Sequence, residues 1–290
     1  MKKVLILVGP TASGKTDISI KIAKKFNLEI INGDSVQIYK DLNIATAKIT
    51  EEEKQNVKHY LLDEIPLKQE FTVYDYQKLV RNKIKEIDKP FIVGGTGFYI
   101  KSVLCNYEFD KEIKKDYNLD KYTNLELYNK IKEIDSLALD KIHINNRNRL
   151  IRCLESIYNT NKLFSSKNKK DEYIYNPLII LLNPDREILY ERINKRVDIM
   201  IKNGLIEEAY NFKDYNLNII GYKELNKYFN NEITKEEAIE EIKKNTRHYA
   251  KRQITYFKNQ LITKEINLNY NDINKSLNEI FELVNNFYGE

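Results

Sequence analysis

The chain has 290 residues, enough to bury a substantial core as one large α/β domain or as one domain carrying an insertion. Charged residues make up 31% of it, yet 48 Lys and Arg against 43 Asp and Glu leave a formal charge of only +5, which permits an anionic partner without demanding one. Two distant cysteines, Cys105 and Cys153, speak against a disulfide framework or a thiolate metal site, no apolar run is long enough for a bilayer, and no signal-peptide layout precedes the first strand, so a cytoplasmic protein without a membrane partner is expected.

The run VLILVGPTASGKTDISIKIAKKF reads as an apolar strand, a glycine-bounded loop, and a helix with Ile18, Ile22 and Phe26 on one face. Gly9, Pro10, Thr11, Ala12, Ser13, Gly14, Lys15 and Thr16 therefore form a candidate phosphate loop. Its backbone N–H groups turn inward, Lys15 adds a cation, the Thr16 hydroxyl suits a magnesium ion, and the helix N-terminus favours a polyanion. The motif specifies a diphosphate or triphosphate without saying which.

The next apolar run, LEIIN, delivers GDSVQIYKDLNIATAK. Ligands of open parallel sheets gather beyond the carboxyl ends of the strands, which places Asp34 beside the loop with Ser35 and Gln37 close behind. Asp34 reads as a magnesium ligand or as a general base, with a turn or cap as the purely structural alternative. The strand PFIVG delivers GGTGFYIKSV, whose glycines leave Thr96 exposed on the same rim or form only a tight turn. Six of the nine glycines, Gly9, Gly14, Gly33, Gly94, Gly95 and Gly97, fall before residue 98 and mark these loops as places of sharp bending or close approach.

Residues 107–173 are charged, helical in pattern and end in the polar run SSKNKKDE, so they read as a helical insertion in a core made of 1–106 and 174–290. NPLIILL supplies another strand, after which the chain is expected to be mostly helical. Asp185 is the expected N-cap of the helix REILYERINKRVDIMI and Gly204 its stop; Arg192 and Arg196, one turn apart in it, either face the active site or pair with Glu191 and its neighbours.

Near the end, KKNTRHYAKRQITYFK has six basic residues and no acidic one. At helical spacing Lys244, Arg247, Lys251 and Lys258 share one face, while Ile242, Tyr249, Gln253, Tyr256 and Phe257 lie opposite. A second basic cluster, NRNRLIRCLE, puts Arg149 and Arg152 together on an insertion helix. One charged face is often simply solvated; two point toward a nucleic-acid backbone. None of His59, His143 and His248 has metal-ligand spacing.

Taken in order, GPTASGKT, GDSVQIYKDLNIATAK, HYLLD, PFIVGGTGFYIK, RNRLIRCLE, LYERINKRVDIMI, GYKEL and TRHYAKRQITYF resemble the tRNA dimethylallyltransferases over most of the chain. The resemblance implies an α/β fold with a P-loop kinase-like parallel sheet flanked by helices and a helical insertion domain. It implies transfer of a dimethylallyl group from dimethylallyl diphosphate to N6 of the adenosine 3′-adjacent to the tRNA anticodon. By that resemblance the loop holds an isoprenoid diphosphate, with Lys15, Thr16 and Mg2+ stabilising the departing pyrophosphate, Thr96 contacting the released oxygen and Lys223 adding charge. Asp34 would orient or deprotonate the amine. Asp34, Ser35, Val36 and Gln37, then Asn148, Arg149 and Arg152, then Arg247, Lys251, Arg252 and Gln253 match stretches that contact tRNA, and a monomer is expected.

The sequence departs from the family pattern at Ala45 and Ile49 in IATAKI, where I-G-T-A-K-P is usual, at Asn146 for Asp, at Asn161 for Gly and at Tyr256 for Trp. These leave the loop, the acid and the threonine intact. The alternatives are a nucleoside or nucleotide kinase on the same core, an adenylate isopentenyltransferase acting on a free nucleotide, and a non-catalytic RNA-binding protein. A mononucleotide offers too few phosphates to occupy two basic helix faces.

Overall fold

Five consecutive residues of the first strand, Val4 to Val8, are completely buried. A strand covered on both faces needs no polar alternation, so an unbroken apolar run is the form a central parallel strand takes. In this computed structural model, which describes residues 1–107, 109, 117–166, 172–215 and 217–289, the strands are β1 (Lys3–Val8), β2 (Glu29–Asn32), β3 (His59–Tyr60), β4 (Pro90–Gly94), β5 (Asn176–Pro184) and β6 (Lys264–Leu268). They form one parallel sheet in the order β3-β2-β4-β1-β5-β6. Strands β3 and β6 were not expected from sequence. The first is only two residues long, and along β6 only Ile266 and Leu268 are buried, too faint a pattern to separate from the helices around it.

The helices are α1 (Lys15–Phe26), α2 (Glu51–Lys54), α3 (Val73–Glu86), α4 (Gly97–Leu104), α5 (Asn124–Ile134), α6 (Arg147–Thr160), α7 (Arg186–Lys202), α8 (Leu205–Asn211), α9 (Tyr222–Phe229), α10 (Lys235–Gln260) and α11 (Ile273–Tyr288). Side chains along β1 alternate between two layers. Val4, Ile6 and Val8 pack with Val80 and Ile84 of α3, Ile100 and Val103 of α4 and Phe257 of α10. Leu5 and Leu7 pack with Ile18, Ile22 and Phe26 of α1 and with Leu277, Ile280 and Val284 of α11. Each fully buried aliphatic side chain contributes about 1.5–3 kcal/mol, so this double cover fixes the sheet that presents the strand ends. Asp185 caps α7, accepting from the N–H groups of Glu187 and Ile188; Gly204, at φ +97°, lies beyond the end of α7 and leads into α8.

By its contacts the chain divides into Met1–Cys105 with Tyr173–Glu290, which holds the sheet, and Asn106–Glu172. The second unit has its own core of Leu127, Ile131, Leu150, Cys153, Leu154 and Ile157 from α5 and α6. Arg147 holds it together, donating to the carbonyls of Tyr122 at 2.7 Å and Asp120 at 2.8 Å. Asn146 caps α6 by accepting from Arg149 N, as an aspartate would. Of the polar run expected at the insertion's end, residues 167–171 lie outside the described residues.

The C-terminal end of α4 is closed by Arg81, which donates to Val103 O at 3.2 Å, Ser102 O at 3.0 Å and Cys105 O at 2.6 Å. Since helix ends leave carbonyls without helical partners, these bonds anchor the element whose other end carries Thr96. Arg81→Met should lower the unfolding free energy by about 2 kcal/mol, given about 1.5–3 kcal/mol for a hydrogen bond from a charged donor. A urea midpoint equal to that of the parent protein contradicts this.

Candidate active site

Between β1 and α1 the chain turns through Ala12 at φ +62° and Gly14 at φ +90°, with Ser13 N donating to Pro10 O. The Lys15 ammonium donates to Gly9 O at 2.9 Å and Pro10 O at 2.7 Å. It reaches a cavity yet is ringed by protein atoms. Desolvation first, then the nearby Arg196 charge, lower its pKa to about 7, against an opposing pull from Asp34. Ser13 Oγ is buried without a hydrogen-bond partner among the described residues.

Both arginines of α7 face this loop. Arg192 donates to Ala12 O at 2.9 Å and lies over the Tyr270 ring at 4.4 Å, while Arg196 reaches Thr11 Oγ1 at 3.5 Å. Burial, then Arg192, push the Arg196 pKa below its ordinary value. Of the two readings the sequence left open for this pair, the inward one holds. Spacing of one helical turn was the only signal for it.

At the end of β2, Asn32 shapes the next segment: its Oδ1 accepts from Asp34 N at 3.0 Å and its Nδ2 donates to Leu61 O at 2.9 Å. Burial raises the Asp34 pKa, opposed by the Val36 N–H at 3.0 Å from Oδ1 and by the Lys15 charge. From the end of β4, Thr96 Oγ1 accepts from Ser35 N at 3.1 Å and Thr96 N donates to Gly33 O at 3.2 Å. This contact depends on glycine, because a Cβ on Gly94 would stand 2.2 Å from Gly33 backbone atoms. Tyr249 of α10 is pushed above the ordinary phenol range by burial and by the Asp34 charge, opposed by hydrogen bonding with Thr96 and Gln253. Sequence reasoning placed Tyr249 on the core side without assigning it to the site.

Thr11 to Thr16 of the phosphate loop, Asp34 to Gln37, Arg196, Lys223 and Tyr249 line one cavity of about 480 Å³, with Thr96, bonded to Ser35, outside its lining. Its apolar lining comes from Val197, Met200, Leu205, Ile219, Ile220 and Ile242. Ala45, Thr46 and Ala47 also line it, in a segment fastened by Glu208, whose carboxylate accepts from the N–H groups of Asn43, Ile44 and Ala45. Lys223 pairs with the buried Glu224 at 3.6 Å.

The residues expected at tRNA divide by exposure. Asn148, Arg149 and Arg152 are exposed on α6, and Lys251 and Arg252 on α10. Arg247 is partly buried and donates to Asn194 Oδ1 at 2.6 Å. Lys258 is ion-paired with Glu265 at 2.6 Å. Gln37 spends its amide on Thr46 O at 2.9 Å. Gln253 is 5% exposed, with both ends of its amide bonded to protein backbone, and it lines the cavity on the inner side of α10.

Three adjacent strand ends that present a phosphate loop, an enclosed acid and a threonine define an α/β enzyme of the phosphate-loop class. A family model described as IPP transferase matches residues 37–260. A tRNA dimethylallyltransferase of Anoxybacillus flavithermus is 44% identical over 299 residues, covering 98% of this chain and 96% of that protein. The crystal structure of a tRNA delta(2)-isopentenylpyrophosphate transferase from Staphylococcus epidermidis is 39% identical, covers 99% of both chains and superposes with a TM-score of 0.73. That of a eukaryotic dimethylallyltransferase acting on tRNA is 28% identical, with a TM-score of 0.87 over all of this chain and 80% of the other. The chain belongs to the tRNA dimethylallyltransferase family and is a prenyltransferase. No helix among the described residues is long and apolar enough to cross a membrane.

The lowered Lys15 pKa carries a linkage. Above about pH 7 the folded protein has released a proton that the unfolded chain keeps up to its ordinary value of 10.5. Lys15 therefore makes folding more favourable as pH rises through this window, by up to about 1.4 kcal/mol per unit. Between pH 7.5 and 9.5, unfolding free energies of Lys15→Met should rise less steeply than those of the parent. Parallel curves contradict the assignment.

Proposed function

We propose that the protein transfers the dimethylallyl group of dimethylallyl diphosphate to N6 of the adenosine 3′-adjacent to the anticodon of tRNA and releases pyrophosphate, acting as a cytoplasmic monomer. The observation that carries this reading is the single cavity in which the phosphate loop, Asp34 and an apolar wall meet. Phosphate oxygens suit the loop, and the apolar wall suits a short hydrocarbon tail better than a nucleoside. The family membership favours prenyl transfer over the kinase reading.

In this reading the adenine N6 lone pair forms a bond to C1 of the dimethylallyl group as the C1–O bond breaks. The electron pair leaves on pyrophosphate, where Lys15, the loop N–H groups, Arg192, Arg196 and Lys223 stabilise the charge. The proton released from N6 passes to Asp34. Burial raises the basicity of that carboxylate, which suits a general base, and Thr96 holds the adjoining Ser35 segment. A stacked anticodon-loop base cannot reach an enclosed cavity, so the adenosine must be flipped out at a cost of a few kcal/mol. The exposed Arg149, Arg152, Lys251 and Arg252 supply phosphate contacts.

Magnesium is part of the proposal. Among the described residues no three His, Cys, Asp or Glu converge as a metal cage, whereas the Thr16 hydroxyl and the Asp34 carboxylate both line the cavity. So sparse a set of hard oxygens fits Mg2+, which keeps water and substrate phosphates as most of its ligands. Thr16 would hold the ion, which when bound neutralises diphosphate charge.

With tRNA lacking the modification and dimethylallyl diphosphate, pyrophosphate release should depend on tRNA and consume no ATP. Asp34→Ala should reduce kcat by about 10²–10⁴ with tRNA affinity unchanged. Lys251→Ala should weaken tRNA binding and flatten its salt dependence by about one unit of slope. Equal loss of tRNA binding in both variants contradicts these roles.

A further inference from the structure

We propose that Gln253 is a positioning residue that sets the spacing between the phosphate loop and the segment of residues 33–35, held by Thr96, that carries Asp34. The proposal rests on the reaction described above for its consequence and on geometry for its cause. The buried stripe of α10 is Ala238, Ile242, Ala250, Gln253 and Phe257, so one long polar side chain occupies a place where the others are apolar. Such a group is costly unless both ends of its amide are bonded. Here Oε1 accepts from Thr11 N at 2.8 Å, and Nε2 donates to Gly95 O at 2.9 Å. An N–H on one side and a carbonyl on the other leave only one orientation of the amide.

These two contacts lie where the sheet can no longer set the spacing. The β1–β4 register ends at Val8 and Gly94, and the β2–β4 register at Asn32 and Val93. Beyond those pairs the three loops are joined by individual hydrogen bonds. Gln253 joins the loop after β1 to that after β4, and the neighbouring Thr96 joins the loop after β4 to that after β2 through Gly33 O and Ser35 N. One line of hydrogen bonds therefore crosses all three strand ends, from the diphosphate-holding loop to the acid. The seat for Gln253 is made by Gly95, where a Cβ would stand 2.3 Å from Nε2. The consequence is alignment: displacing reacting groups by about 1 Å costs about 10²-fold in rate.

The test uses the full protein and inorganic pyrophosphate as the probe, titrated by calorimetry against Gln253→Ala, Gly95→Ala and the double variant. Gly95→Ala should weaken pyrophosphate binding by about fivefold or more while Gln253 is present, yet add less than about twofold to the loss in Gln253→Ala, because the two residues act through one contact. tRNA affinity should stay within about twofold of the parent in all three, while kcat at saturating substrates falls by about tenfold or more in Gln253→Ala. Additive losses overturn the proposal, as does a Gln253→Ala protein that binds tRNA poorly and pyrophosphate normally. Gln253→Met, with similar bulk and no amide, serves if the alanine variant does not fold, and the same outcomes apply to it. A parent protein that shows the pyrophosphate coupling but transfers no prenyl group contradicts the proposed reaction and leaves the role of Gln253 standing.

Discussion

Three cations converge on one short loop, and the site depends on the resulting need for an anion. Arg192 and Arg196 reach the loop from α7 while Lys15 folds onto it from α1. Removal from water first, then the neighbouring Arg196 charge, lower the Lys15 pKa to about 7 against the pull of Asp34. In the proposed reaction a bound diphosphate would offset the cost of holding charge there, and the charges that favour entry of the donor would also favour departure of pyrophosphate, whose negative charge grows as the carbon–oxygen bond breaks.

Strand order converts this electrostatic site into a reaction site. The sequence β2-β4-β1 brings the acid, the threonine and the phosphate loop to neighbouring strand ends, although they lie far apart in the chain. The double layer of helices holds the sheet, while side chains beyond its last paired residues hold the loops. Gln253 and Tyr249 connect α10 to those loops from its inner side, while Lys251 and Arg252 remain exposed on the same helix. A helix in that position links the proposed nucleic-acid contact to the chemistry through a single rigid element.

Much of this was legible in the residues, and the exceptions have physical causes. The strands β1, β2, β4 and β5 announce themselves because burial on both faces demands unbroken apolar runs. The edge strands β3 and β6 are short or half-exposed and carry no such demand. Periodicity correctly sorted α10 into an inner face with Ile242 and Phe257 and an outer face with Lys251. It could not say what the inward polar Gln253 meets, and the backbone partners of that amide on two loops become visible only in the fold. The direction of Arg192 and Arg196 likewise depends on how α7 packs, which their spacing leaves open. The insertion was expected at 107–173, and the contact division falls at Asn106–Glu172.

The most direct measurement is mass spectrometry of nucleosides released from unmodified tRNA after incubation with the protein, magnesium and dimethylallyl diphosphate, with free AMP and ATP as parallel substrates. The account requires a five-carbon addition to the adenosine beside the anticodon, with AMP untouched and ATP not consumed. Prenylated AMP with unchanged tRNA, or ATP turnover without prenylation, would contradict it.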